Sequence, residues 1–389
     1  MTPDRRQALE QAGFTVGNVD QFLGSIQTGA VMAETTTGGI KVVDPKVRII
    51  GQTEVDVKEM EEFILDEYGE VLSPYSEDAP SAGDALAEFS GRVCYMSFKN
   101  KRPGGNQVYL DHIKEVGHGS IAEHSNYSLL FTGVSRSLTH ELIRHRAGMA
   151  YSQASQRYID ESVAEYVEPD IIRDDPELHE IWLKAVQHAH EAYVDLADRL
   201  TEKLKRPDGG AMMIRKETVS CSECDGTGYL LGHTDGDEAC PGCLGAGRWD
   251  ITTFVPKGCP KCGKVLSQRA IDVDGKFVQA IVCIDRDGGK CDYTKPLMTG
   301  TERRKAARQA ARSVLPNATE TKIVVTGNAR AWRHFLEQRG SRHAEPEIRK
   351  LANIVLTKLQ AAAPNLFSDY VMDPLDDGTS EINTKYRKV

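Results

Sequence analysis

Two sets of residues in this 389-residue chain are typed and spaced for chemistry. The first is sulfur. Eight of the nine cysteines fall in one segment, where Cys221, Cys224, Cys240 and Cys243 form two copies of Cys-x-x-Cys-x-Gly-x-Gly. Cys259 and Cys262 make a further Cys-x-x-Cys, followed by Cys283 and Cys291. A Cys-x-x-Cys turn aims two thiolates at one point, and two such pairs complete a tetrahedral S4 set. The spacing predicts two zinc sites, with iron–sulfur or redox thiols as the competing chemistries. Four thiolates leave no open coordination position, so metals held this way are structural.

The second set is the stretch "RHRAGMAYSQASQRY", Arg144–Tyr158, which gathers three arginines, a histidine, two serines and two tyrosines. One reading is a solvated helix end, where cations complement the macrodipole. The other is a cradle for an anion, built from Ser152, Ser155, backbone N–H groups and Arg157. His145 stands apart, because it continues the spacing of Val134, Leu138 and Leu142 and is expected to face inward from a helix that Gly148 ends. Polar chemistry also concentrates in "GHGSIAEH", with His118, Ser120, Glu123 and His124, and in "AARSVLPNATETKIVVTGNARAWRHF" and "EQRGSRHAEPEIR". Arg339 follows Trp332, Phe335 and Leu336 at helical spacing and should point along a buried face, where a guanidinium needs an anion or a planar polar partner. Asn328 is placed to cap the helix that begins "ARAWRHF". The histidines lack a close pairing on one helix, so no catalytic metal is expected.

The elements that hold these side chains can be read from periodicity. "VRIIGQTEVD" alternates and is β-branched, as a strand should be. "EMEEFILDEYGEV", "ALAEFSGRVCYMS", "HEIWLKAVQHAHEAYVDLADRLTEKLK", "TERRKAARQAARSVLP", "ARAWRHFLEQR" and "EPEIRKLANIVLTKLQAA" carry helical spacing. The organisation predicted is an N-terminal extension over 1–45, an α/β core over 46–210 resumed over 301–389, and a cysteine-rich insertion over 211–300. A composition of 40% apolar and 27% charged residues is that of a globular protein. With a net charge of -9 a general nucleic-acid binder is not expected of the core, although a small basic pocket is compatible with it. The apolar runs are short and the first residues carry no apolar signal core, so a cytoplasmic protein without a membrane span is expected.

These residues together resemble a family. "RHR" with "YSQASQRY", "GHGSIAEH" upstream, and "ARSVLPNATET" and "TGNARAWRHFLEQRGSRHAEPEIR" downstream are similar to the motifs of the flavin-dependent thymidylate synthases, in the same order. The likeness covers about residues 47–205 and 302–375. The family signature places seven residues between Arg-His-Arg and Ser, whereas eight separate Arg146 from Ser155 here. The first cysteine repeats resemble those of Hsp40-type chaperones, and the second set resembles a zinc ribbon.

The resemblance implies a mixed α/β fold with an antiparallel sheet and long helices, interrupted by a small zinc-stabilised domain. It implies a homotetramer with shared active sites, methylation of dUMP to dTMP, methylenetetrahydrofolate as carbon donor, and FAD reduced by NADPH. Carried over residue by residue, it implies nucleotide contacts at Glu141, Arg144, Gln153, Ala154, Ser155, Gln156, Arg157, Arg312 and Arg339. It implies flavin contacts at His118, Ser120, Arg144, His145, Arg146, Gln153, Asn328, Arg330, His334 and His343. Arg339 is the implied catalytic residue, beside the uracil ring, and Ser155 binds rather than attacks. Cys94 is expected to be packed within its helix. An alternative reading makes the zinc segment a binding module for protein or nucleic acid, carried on a degenerate enzyme scaffold.

Overall fold

The computed structural model describes residues 35–37, 40–70, 78–100, 103–205, 212–220, 248–256, 258–286 and 288–387. Their backbone contacts divide into two compact units. The first holds the described residues up to Ala154, with Ala164–Lys184 and the chain from Asn317 onward; the second holds Ser155–Val163 and Ala185–Pro316.

At the centre of the first unit lies a four-stranded antiparallel sheet in the order Lys46–Gln52, Asn126–Ser135, Glu320–Asn328, Met149–Gln153. Tyr127, Leu129 and Phe131 alternate along the second of these strands and are buried on one face, the period-2 pattern of a half-covered sheet. Against that face pack the helix Ala329–Arg339, through Trp332, Phe335 and Leu336, and the helix Pro346–Ala362, through Leu351, Val355 and Leu359. Gly133 is obligatory in the central strand: its φ is +69°, and a Cβ there would lie 1.9 Å from the Asp44 carbonyl oxygen.

The strand predicted over "VRIIGQTEVD" and the helices predicted around it are present, including Val57–Tyr68, Ala82–Tyr95, Pro176–Lys205 and Gly300–Ala311. Two local expectations are corrected. Val134 belongs to the strand Asn126–Ser135, so the helical stripe drawn through it does not exist. The helix that follows is only Arg136–Leu142, capped by Ser135, whose Oγ accepts from the Leu138 N–H at 3.0 Å. The ladder to Glu320–Asn328 holds Val134 extended, and the spacing from Val134 to His145 straddles strand, helix and turn. Gly148, at φ +69°, therefore shapes the turn into the next strand and is not a helix C-cap. Tyr151, Ser152 and Gln153 lie in the strand Met149–Gln153 at the edge of this sheet, paired with Glu320–Asn328 in five uninterrupted steps.

The second unit contains the hairpin Leu266–Val273 with Lys276–Cys283, joined at its edge by Thr294–Pro296. Its small core is Leu266 and Ile281 with Cys259, Cys283 and Cys291, flanked by Tyr293 and Leu297. The strands Met212–Ser220 and Arg248–Pro256 pair in antiparallel fashion. The proposed ligands Cys221, Cys224, Cys240 and Cys243 lie outside the described residues.

Candidate active site

The helix Ala329–Arg339 begins at Asn328, whose Oδ1 accepts from the Ala331 N–H at 2.8 Å, and ends at Arg339. Trp332 and Phe335 anchor its buried side, and this fixes where Arg339 emerges. Three of the five guanidinium N–H groups are engaged there. Nε donates to His145 Nε2 at 2.9 Å, one terminal nitrogen pairs with Glu141 Oε2 at 3.0 Å, and the other donates to the Glu141 carbonyl at 3.2 Å. Glu141 in turn reaches Arg144 Nε at 3.4 Å through its other oxygen. The expectation of a guanidinium held by an anion and a planar polar partner is met by these two residues.

His145 is buried, as expected, at 9% exposure. Its ring packs edge-on against His334 and Phe335, at centroid distances of 5.5 and 5.4 Å. Burial, the Arg339 charge and His334 together push its pKa down to about 4, with Glu141 opposing them. The ring is therefore neutral near pH 7, and because Nε2 accepts from Arg339, the proton sits on Nδ1. The His145 carbonyl accepts from the Tyr151 hydroxyl, which also donates to the Leu142 carbonyl at 3.1 Å. Arg144 and Arg146 flank this buried ring as exposed cations.

A second group from the same unit lines a cavity of about 350 Å³: His118, Ser120 and Arg330, together with Cys94, Tyr95 and three glycines. Arg330 pairs with Glu123. Cys94 corrects an expectation, since it stands at the last turn of Ala82–Tyr95 with its side chain exposed at this cavity. Partly polar and carrying a guanidinium and an imidazole, this cavity offers donors to an anionic ligand. His343 is exposed in the turn after Arg339, its N–H donating to Ser341 Oγ. Gln153 points its amide to Thr139 and Thr321, and the Ala154 carbonyl accepts from Arg136.

The remaining motif residues belong to the second unit. After Ser155 the chain turns, with the Tyr158 N–H donating back to the Ser155 carbonyl at 3.0 Å. Gln156 Nε2 and Arg157 Nε are buried there without a hydrogen-bond partner, a costly arrangement for a donor. An anion bearing carbonyl and phosphate oxygens fits such donors. Arg308 ties the end of the turn, donating to the Tyr158 carbonyl at 2.8 Å and to Asp160 at 2.6 Å. Arg312 is half-buried one turn further along.

The structure thus groups Glu141, Arg144, His145, His334 and Arg339, and separately His118, Ser120 and Arg330. Sequence reasoning missed Tyr95 and Arg308, which have no motif signal, and placed Cys94 in helix packing and not at a cavity. It also missed Tyr151 as an anchor, although Tyr151 lies inside the opening motif.

Four further side chains converge in the cysteine cluster. Cys259, Cys262, Cys283 and Cys291 place their sulfurs within 4.8 Å of one another, the closest contacts being 3.4 Å for Cys262 with Cys283 and 3.6 Å for Cys259 with Cys291. Four soft donors at one point, without a carboxylate, suit tetrahedral zinc.

Comparison with known proteins adds an independent finding. The family described as thymidylate synthase complementing protein matches residues 77–365. A flavin-dependent thymidylate synthase of Mycolicibacterium gilvum (strain PYR-GCK) is 39% identical over 307 residues, which cover 78% of this chain and 86% of that protein. One from Mycobacterium leprae (strain Br4923) is 36% identical over 299 residues, covering 76% and 84%. One from Corynebacterium glutamicum is 34% identical over 314 residues, covering 80% and 89%.

Proposed function

The chain belongs to the flavin-dependent thymidylate synthase family, and from that premise we propose how its side chains divide the work of methylating dUMP to dTMP. The observation that carries the assignment is the Arg339 guanidinium, held from one side by Glu141 and from the other by a neutral His145. Two of its N–H groups remain to face a substrate. Beside a uracil ring they stabilise the ionised form, which makes ring carbon 5 the nucleophile toward the methylene donor. Arg339 is a fixed cation that needs no reorganisation as charge develops, since its partners are already in place.

Ser155, Gln156, Arg157 and Arg312 bind the nucleotide, with Gln153, Ala154, Glu141 and Arg144. The orphaned donors of Gln156 and Arg157 support this reading. His118, Ser120, Arg330, Asn328, His334 and His343 hold FAD, together with Arg144, His145, Arg146 and Gln153. Bound there, FAD would supply hydride chemistry with NADPH as its reductant, and methylenetetrahydrofolate would be the carbon donor. The residues of this chain bind, orient and exclude water around that exchange.

The same reading makes the protein a cytoplasmic homotetramer whose active sites are shared between subunits. Its two structural zinc ions are carried by Cys221, Cys224, Cys240 and Cys243, and by Cys259, Cys262, Cys283 and Cys291, within an insertion over 211–300. The sulfur geometry of the second set supports its half of this proposal. The purified chain, loaded with FAD, should oxidise NADPH faster when dUMP is added. A protein that takes up no FAD and forms no dTMP from methylenetetrahydrofolate overturns the assignment.

A further inference from the structure

The helices that line the cavity of His118, Ser120 and Arg330 also carry a buried ionic network whose central carboxylate belongs to none of the motifs. Its hub is Asp369, whose side chain is 2% exposed. Asp369 Oδ1 accepts from Lys114 Nζ at 3.2 Å and from Arg333 at 2.7 Å, and Oδ2 accepts from Arg333 at 2.8 Å and from the Thr384 hydroxyl. Burial pushes the carboxyl up, but the hydrogen bonds and charge of Arg333, with Lys114 behind them, outweigh it and hold the group down at about 2. Arg333 and Lys114 are themselves buried, at 0% and 3% exposure in their side chains.

The two cations belong to the two elements that carry the cavity walls. Arg333 lies one turn after Arg330 on the helix Ala329–Arg339, next to His334. Lys114 lies in the last turn of the helix Gly105–Val116, and the His118 N–H donates to Ile113 in that turn at 3.0 Å. A displacement of either helix would pull a charge off a buried carboxylate, which is costly. The network continues to the third wall. Lys114 donates to the Asn365 carbonyl, Asn365 to Asn106, and Asn106 to Glu88, which pairs with Arg92 on the helix bearing Gly91 and Cys94.

We propose that Asp369 is a positioning residue for the flavin cavity, setting the separation of His118 from Arg330 by clamping Lys114 and Arg333. The inference rests on the assignment of that cavity to FAD. Asp369 is not among the residues that line the cavity and acts through the two helices.

The test measures FAD affinity by fluorescence quenching and the visible circular dichroism of the bound flavin, alongside thermal stability. Asp369→Asn keeps the shape and removes the charge; it should raise the Kd for FAD at least tenfold and alter the flavin signal. Leu359→Ala, which opens the same core on another helix, is the control; it should lower Tm comparably yet leave the Kd within about twofold of wild type. If Asp369→Asn does not fold, Thr384→Val decides, because it removes one bond to the hub without exposing a charge and should weaken FAD about threefold. Wild-type protein that binds no FAD overturns the flavin assignment itself. Wild-type protein that binds FAD, with Asp369→Asn equal to it or Leu359→Ala equally impaired, overturns the role of Asp369 alone. An unfolded Asp369→Asn combined with a Thr384→Val indistinguishable from wild type overturns it as well.

Discussion

Arg339 Nε and His145 Nε2 share a hydrogen bond of 2.9 Å between residues 194 positions apart in sequence. A guanidinium only donates, so the imidazole must accept, and a protonated ring could not. The pair is therefore sensitive to acid. The pKa of His145 is about 4 in the fold against an ordinary 6.5, so the unfolded chain binds the extra proton between those values. The contribution of this site to stability is whole above about pH 6.5, falls as pH drops toward about 4, and levels off below that. His145→Gln keeps an acceptor and removes the titration. The difference in Tm between wild type and this variant should be constant above about pH 7 and shift in favour of the variant on acidification. A difference that stays constant down to pH 4 contradicts the assigned protonation state.

The turn between the two halves of the opening motif admits only glycine at one position. Gly148 has φ +69°, and a Cβ there would stand 2.8 Å from Asn328 Nδ2, the residue that caps the Arg339 helix. Gly148→Ala should cost about 1–3 kcal/mol of stability from backbone strain and the disturbed cap. Chemical denaturation checks the first effect, and a rise in the KM for dUMP the second.

Gln156 and Arg157 present buried donors without partners. Supplying an acceptor to such groups is strongly favourable, and a charged hydrogen bond is worth about 1.5–3 kcal/mol. Arg157→Ala should raise the Kd for dUMP by roughly 10- to 150-fold by that measure. Calorimetric titration reads this directly, and affinity unchanged within a factor of two would remove Arg157 from the binding site.

The hairpin with the clustered cysteines buries only a few small or medium aliphatic side chains, Leu266, Ala280, Ile281 and Val282, too few to hold it without cross-linking. Cys283→Ser should release one zinc per chain in a metal assay and make the segment around 258–296 susceptible to protease. A chelator should reproduce the effect in the wild type. Full zinc content in Cys283→Ser rules out the Cys259, Cys262, Cys283 and Cys291 set.

Much of the site was legible in the sequence because it is built from local signals. Asn328 as a cap and the spacing of Trp332, Phe335 and Leu336 defined a helix that the structure reproduces as Ala329–Arg339. The inward position of His145 was also foreseen, but for the wrong local reason. Its spacing from Val134 mimics a helix, whereas Val134 is held in a strand by pairing with Thr321, a contact across the chain that periodicity does not encode. The Asp369 hub was invisible for the same reason. Its partners Lys114 and Arg333 are distant in sequence, and each alone reads as a solvated charge on a helix. Cys94 looked like a core residue by type, but it falls where three helices leave a cavity open.

The most direct test of the account is single-turnover formation of dTMP by the FAD-loaded chain and its Arg339→Ala variant, with bound FAD measured in both. A preorganised donor at developing charge is worth about a hundred- to a thousandfold in rate. The account predicts that Arg339→Ala retains FAD, binds it with unchanged affinity, and forms dTMP at least about a hundredfold more slowly. A variant that makes dTMP at the wild-type rate would contradict the role assigned to Arg339.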